Sequence, residues 1–216
     1  MSEEFIERTL GFDLRRNPFV VAKTVWTPEM RSRLLLRPEI DCVITVDQLV
    51  LPVSDLIEGA PDSAEYSSIV GVFPRIPPEW LTAQKEPPIG KRDWIIAVTM
   101  GREAAESRQK RHDAPLAAVL RSPEELHAAG WTHLGYDCVD MGFISGLTDC
   151  EFLATDRHAV LARFGPHLNR CGLFGDPAHA MEFCEVSNVR IPSHAPFEVC
   201  GIWVHPENAD LSRVIG

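Results

Sequence analysis

The sequence lacks any hydrophobic run long enough to cross a bilayer. Its longest apolar stretches, such as Trp94-Ile-Ile-Ala-Val-Thr-Met100, are much shorter than the roughly 18 to 20 residues that a transmembrane helix needs. The N-terminal residues Met1-Ser-Glu-Glu-Phe-Ile-Glu-Arg8 are acidic, without the basic start and apolar core of a secretory signal. We therefore expect a cytoplasmic protein that has no membrane partner.

The motifs that most specifically indicate cofactors are also missing. The chain contains no G-x-x-x-x-G-K-[ST] or G-x-G-x-x-G phosphate-binding loop, and none of its histidines and cysteines form H-E-x-x-H, H-x-H or C-x-x-C. The six cysteines are an even number, but nothing else indicates an oxidising compartment. We expect no cofactor and no bound metal, and we expect the cysteines to be reduced, mostly buried thiols.

Lysine is absent from the C-terminal half of the chain. Residues 113–216 contain 14 acidic and 6 basic side chains, a net charge of −8, whereas residues 1–112 contain 17 and 15, a net charge of −2. Nucleic acids bind through lysine and arginine, so this acidic half excludes a nucleic-acid partner. An acidic surface instead favours a basic partner, although a mild excess of carboxylates also serves solubility alone.

The length of 216 residues suits one mixed domain or two small lobes, which divide near residue 112. We take 1–112 as an N-terminal α/β lobe and 113–216 as an acidic C-terminal α+β lobe, with a single domain as the alternative. In the first lobe, β-branched and aromatic enrichment predicts strands at 19–26, 40–46, 68–73 and 94–100.

The C-terminal half carries clear start and stop signals. Ser122-Pro-Glu-Glu125 is a capping box that predicts a short helix ending at Gly130, and Asp176-Pro177 predicts the start of another. A third helix is expected from Asp156 through Leu168, interrupted at Gly165-Pro166. Residues 131–139 and 196–204 are predicted strands. This order predicts an α+β fold with a small mixed or antiparallel sheet, helices packed on it, and the two lobes sharing a core.

Residues 130–152 combine carboxylates with large apolar side chains and contain no lysine or arginine. Charged groups speed the approach of an oppositely charged partner, and buried aromatic groups supply most of the binding energy. The pattern predicts an interface with a basic protein, although the aromatic residues suit a hydrophobic core equally well. The predicted interface residues are Tyr136, Asp137, Asp140, Met141, Phe143, Asp149 and Glu151.

A small hydrolase is the alternative interpretation of the same segment. His133 and Asp137 could assemble in space with Ser145 or Cys138 as the nucleophile. Ser145, however, follows Phe143-Ile144 rather than the glycine of a G-x-S-x-G elbow. We therefore favour a binding protein over an enzyme.

Four segments resemble small bacterial proteins that are encoded beside secreted polymorphic or contact-dependent toxins. They are Gly130-Trp-Thr-His-Leu-Gly-Tyr-Asp-Cys-Val-Asp140, Ile144-Ser-Gly-Leu147, Leu168-Asn-Arg-Cys-Gly-Leu-Phe174 and Ile191-Pro-Ser-His-Ala-Pro-Phe197. The resemblance covers residues 120–204 and is to immunity proteins. It implies a protein that neutralises a cognate toxin by occluding its active site or substrate groove, with no catalytic residues of its own.

Overall fold

The computed structural model describes residues 7–15, 94–101, 103–104, 122–140, 145–147, 158–169 and 171–206. Within them four strands form one antiparallel sheet: β1 (Glu7–Arg15), β2 (Trp94–Gly101), β3 (Thr132–Val139) and β4 (Glu198–Val204). The spatial order is β1-β2-β4-β3, so the last strand in sequence lies between β2 and β3. The sheet thus takes two strands from each side of residue 112.

Within the described residues three helices accompany the sheet, and residues 103–104 are also helical. Helix α1 is Pro123–Ala128, helix α2 is described over residues 158–164 and continues into a 3-10 turn at Gly165–His167, and helix α3 is Pro177–Arg190. Helix α3 packs against β3 and β4, and α1 lies against β1 and β3. The α+β class predicted from the sequence is therefore confirmed for the part of the chain that the structure describes.

Local sequence signals explain where the two capped helices begin. The Ser122 hydroxyl accepts a hydrogen bond from the Glu125 amide, and the Glu125 carboxylate accepts one from the Ser122 amide, which completes the predicted capping box. The Asp176 carboxylate accepts a hydrogen bond from the Ala178 amide at the start of α3. Both predicted starts are confirmed, because each cap satisfies amides that have no partner inside the helix.

The core between the helices and the sheet is built from aromatic, aliphatic and cysteine side chains. Phe164 and Phe174 lie at steep angles to one another, and each also contacts Phe183 of α3. All three rings are almost completely buried, and burial of such rings supplies much of the free energy of folding. The remaining members of this cluster are Cys138, Leu147, Val160, Leu168, Ala180, Cys184, Ile191, Phe197 and Val199.

Three predicted strands, at 19–26, 40–46 and 68–73, lie outside the described residues. Strands at 94–100, 131–139 and 196–204 are confirmed as β2, β3 and β4 with small shifts of their ends. Strand β1 was not predicted, although Leu10, Phe12 and Leu14 alternate with Gly11 and Asp13, a period of two that is typical of a strand.

Candidate functional site

Strand β3 is at the edge of the described sheet, and two loop segments cover its outer side. Tyr136 and Phe174 exchange two backbone hydrogen bonds, of 2.8 and 2.9 Å. The Gly146 amide donates to the Cys138 carbonyl at 2.7 Å. These bonds satisfy backbone groups that an open edge would offer to another strand. Within the described residues, the segment 130–152 is thus held to the rest of the fold at Tyr136 and at Cys138.

One extra residue in β3 decides which side chains share a face of the sheet. His133 pairs with Trp203 and Gly135 with Ile202, so Leu134 is a bulge with no direct partner on β4. Asp137 pairs with Cys200. Cys200 and Trp203 are three positions apart on β4, so their side chains point to opposite faces. Successive residues of a strand point to opposite faces and paired residues of adjacent strands point to the same face, so His133 and Asp137 lie on opposite faces of the sheet.

Asp137 forms a buried polar cluster with the segment that returns after β3. Its side chain is fully buried, and its Oδ1 accepts hydrogen bonds of 2.7 Å from the Ser145 hydroxyl and from the Cys138 amide. Ser145 Oγ in turn accepts a hydrogen bond of 3.2 Å from the Leu147 amide. A buried carboxylate needs such donors, and here they hold residues 145–147 against the strand.

The histidine of the alternative catalytic trio has an aromatic environment instead. The His133 ring lies 4.5 Å from Tyr136 and 4.7 Å from Trp203, measured between ring centroids. Burial lowers the pKa of His133 to about 4, although a hydrogen bond with the Gly135 backbone acts in the opposite direction. The imidazole is therefore neutral at pH 7. Ser145 bonds directly to Asp137 rather than through His133, so the structure does not assemble this trio.

The alternative nucleophile, Cys138, faces helix α3. Its Sγ lies 2.7 Å from Cys184 Sγ and 4.0 Å from Ser187 Oγ, and all three side chains are buried. Burial raises the pKa of the Cys138 thiol well above its usual value, and the neighbouring Cys184 and Asp137 raise it further. Nucleophilic cysteines need a stabilised thiolate, and this environment favours the protonated thiol.

Asp140, the second carboxylate of the predicted interface, is also withdrawn from solvent. Only 6 % of its surface is exposed, and its Oδ2 lies 3.7 Å from Nδ1 of His194. Tyr136 is partly buried against the helix-facing core. Met141, Phe143, Asp149 and Glu151 lie outside the described residues. Asp137 and Asp140 are both buried in the described part of the fold, whereas charges that steer a partner act from the surface, so their place in an interface stays a prediction.

The exposed negative charge of the described residues lies elsewhere. Glu124 and Glu125 on α1, and Asp176 and Glu185 at the start and on the outer side of α3, are solvent exposed. The sequence already indicated two of them, since Glu125 lies in the first turn of α1 and Asp176 is the N-cap of α3, where carboxylates are favourable. Glu182 is half exposed but is paired with Arg163, and this hydrogen bond lowers the pKa of its carboxyl group.

Among the described residues, no group of three histidine, cysteine or carboxylate side chains has the arrangement of a metal site. The same residues include no helix that is both long and apolar enough to traverse a bilayer. No protein-family model matches the chain, and neither a curated protein nor a solved structure shows detectable similarity to it.

Proposed function

We propose that this chain is a cytoplasmic immunity-type protein that binds a basic toxin domain of bacterial origin and occludes its active site or substrate groove. The observation that carries the proposal is the charge of residues 113–216, which is −8 with no lysine. We take the resemblance of residues 120–204 to immunity proteins as a further expectation from the sequence, and it agrees with this charge. The proposal requires a protein partner and no catalytic step by this chain.

The exposed carboxylates give the proposal a physical mechanism. Glu124 and Glu185 are on different helices and are solvent exposed, so their charges act on an approaching partner across water. Such charges increase the rate of association more than they slow dissociation, and salt screens them over roughly 10 Å. Tight binding would additionally need apolar groups at the centre of the interface.

The burial of the candidate nucleophiles supports binding over hydrolysis. Ser145 and Cys138 are both fully buried, and the Ser145 hydroxyl is held by a structural carboxylate. A substrate would have to displace core side chains to reach either atom. A binding function makes no such demand.

The test is neutralisation of a defined toxin domain. The C-terminal domain of a large secreted protein encoded beside this chain is expressed alone and together with it, and bacterial growth is measured. Co-expression is expected to restore growth, and the purified proteins are expected to form a stable complex. If the neighbouring genes encode no such protein, or if the domain remains toxic and unbound, the proposal is overturned.

A pair of variants tests whether the exposed carboxylates speed association with the toxin domain. Glu124→Gln with Glu185→Gln is expected to reduce the association rate about threefold or more at low salt and to flatten its salt dependence. Asp137→Asn removes the same type of charge from the interior, so it is the matched control and is expected to leave the association rate of folded protein unchanged. Equal effects of both changes would contradict a surface role for Glu124 and Glu185. Hydrolytic turnover that is lost on His133→Ala would support the enzyme instead.

A further inference from the structure

Cys138 and Cys184 place two sulfur atoms against each other at the interface between the sheet and its main helix. Cys138 is on β3 and Cys184 is on α3, 46 positions later in the chain, and their Sγ atoms lie 2.7 Å apart. A disulfide bond is about 2.05 Å long, and sulfur atoms that are not bonded pack considerably farther apart than 2.7 Å. The packing of α3 on β3 therefore holds the thiols closer than an ordinary pair of core cysteines.

The thiols are also ordered by a continuous series of hydrogen bonds. The Cys184 thiol donates to Cys138 Sγ, the Cys138 thiol donates to Ser187 Oγ at 4.0 Å, and the Ser187 hydroxyl donates to the Phe183 carbonyl at 2.8 Å. Each of the two sulfur atoms thus has a defined neighbour on the facing element. The remaining described cysteines differ: Cys171 is on a loop, and Cys200 is on the opposite face of the sheet from Cys138.

We propose that Cys138 and Cys184 are an oxidation site that a hydroperoxide converts into a reversible disulfide joining β3 to α3. Cys184 is the more exposed residue of the two, at 5 % against 0 % for Cys138, so in this proposal its thiol reacts first. Its sulfur attacks one peroxide oxygen, the O–O bond breaks, and the departing hydroxide takes the Cys184 proton, which gives a Cys184 sulfenic acid and one water.

The second step uses the neighbouring thiol. Cys138 Sγ attacks Cys184 Sγ, the S–O bond breaks, and the departing hydroxide takes the Cys138 proton to form a second water. In total, two thiols and one hydrogen peroxide give one disulfide and two waters. The sulfurs are oxidised by two electrons and the peroxide is reduced by two. A dithiol reductant reverses the reaction.

Burial determines how fast this site reacts. Because burial raises the pKa of the Cys138 thiol, little thiolate is present at neutral pH. Oxidation of the folded protein is therefore slow compared with that of an exposed, activated cysteine, and a reducing cytoplasm keeps the pair as thiols. Once formed, the bond closes a long loop and restricts the unfolded chain, which stabilises the folded state.

The experiment maps disulfides in the full-length wild-type chain after incubation with hydrogen peroxide, unfolding and alkylation. Cleavage by trypsin and by a protease that cuts before aspartate places the six cysteines in six different peptides. The expected product joins residues 137–139 to residues 176–190. The count of free thiols is expected to fall from six to four, and dithiothreitol is expected to restore six.

Control conditions and variants make the result specific. The same oxidation in concentrated urea is expected to give a mixture of pairs, because the fold no longer selects one. Oxidised wild-type protein is expected to melt on the order of 10 °C higher than reduced protein. Cys171→Ala should retain this shift, and Cys184→Ala should lose it. The proposal is overturned if folded protein forms a different major pair, keeps all six thiols, or yields the same mixture as unfolded protein.

Discussion

At the residue scale, the polar side chains of β3 and of the residue that follows it, Asp140, contact other parts of the fold. Asp137 is held by Ser145, Asp140 lies near His194, and His133 is surrounded by aromatic rings. Each of these groups would be costly to bury alone. Single substitutions should therefore affect stability strongly and in ways that depend on the environment of each residue.

Replacing Ser145 by alanine is expected to destabilise the protein by about 2 to 3 kcal/mol. The change removes the hydroxyl that donates to the buried Asp137 carboxylate at 2.7 Å and that accepts from Leu147. Urea unfolding measures the free energy of unfolding. In the Asp137→Asn background the same serine substitution should cost less, because no buried charge is then left short of a donor. Equal costs in the two backgrounds would contradict the coupling.

Gly135 is expected to tolerate no side chain. Its φ is +139°, and an added Cβ would lie 2.6 Å from the Phe174 carbonyl oxygen and 2.8 Å from Leu173 Cβ. Gly135→Ala is therefore expected to cost about 3 kcal/mol or more, from backbone strain and from displacement of the loop that covers β3. Gly175→Ala is the matched control, because nothing lies within 4 Å of its Cβ position, and it should change unfolding by less than about 0.5 kcal/mol. Similar melting temperatures for the two variants would contradict the crowding at Gly135.

The lowered pKa of His133 predicts that the protein loses stability in acid. Its pKa is about 4 in the folded protein, against 6.5 as its ordinary value, so the unfolded state binds the proton more tightly. The stability that comes from keeping this imidazole neutral is therefore fully present above pH 6.5 and is lost as the pH falls from 6.5 to 4. The loss is at most about 3 kcal/mol.

Urea unfolding at several pH values checks this expectation. His133→Phe keeps a ring between Tyr136 and Trp203 but cannot take up a proton. The difference between wild type and variant isolates His133 from carboxylates that titrate at lower pH. Parallel pH profiles for the two proteins would show that His133 is not the group responsible.

At the element scale, local signals fix where helices begin, while neighbouring segments determine how the strands are completed. Helix α1 has only six residues and depends on its capping box and on the buried side chain of Leu126. Helices this short are marginal without such support. By contrast, the outer side of β3 is completed by Phe174 and Gly146, which come from later parts of the chain.

Ser122→Ala is expected to destabilise α1 by about 1 kcal/mol, because it removes the hydroxyl that accepts from the Glu125 amide. Hydrogen exchange at residues 123–130 should accelerate about fivefold, while exchange in α3 should change much less. Ser122→Asp retains an oxygen acceptor at the cap and should restore most of the protection. Uniform acceleration across both helices would contradict a local effect.

At the scale of the whole molecule, one sheet joins segments that are far apart in sequence. Strand β1 pairs with β2 more than seventy positions later, and β2 pairs with β4, which lies about one hundred positions further along. Such long-range antiparallel pairing means that the described sheet needs segments from both halves of the sequence. The described cysteines Cys138, Cys171, Cys184 and Cys200 are buried and form no disulfide bond.

Protein purified without oxidant is accordingly expected to contain six titratable thiols after denaturation. A thiol reagent added in denaturant without reductant measures this count directly. A count of four in untreated protein would contradict the expected reduced state, and peptide mapping would then identify the pair. Addition of a dithiol reductant before denaturation is the control, since it should return any shortfall to six.

Much of the local structure could be predicted from the sequence, because its causes are local. The Ser122-Pro-Glu-Glu125 capping box, the Asp176-Pro177 start and the β-branched runs at 94–100, 131–139 and 196–204 act within a few residues, and the corresponding elements are present. The alternation at Leu10, Phe12 and Leu14 would also have predicted β1. Composition alone further established the acidic C-terminal half, which depends on no fold.

Only the tertiary structure decided the roles of the candidate site residues. The bulge at Leu134 shifts the alternation of β3, so His133 and Asp137 point away from each other although they are four positions apart. Burial of Asp137 depends on Ser145 returning to the strand, and the contact of Cys138 with Cys184 depends on how α3 packs. Residue types and spacing determine which groups are available, but burial and proximity arise from contacts between segments that no local pattern encodes.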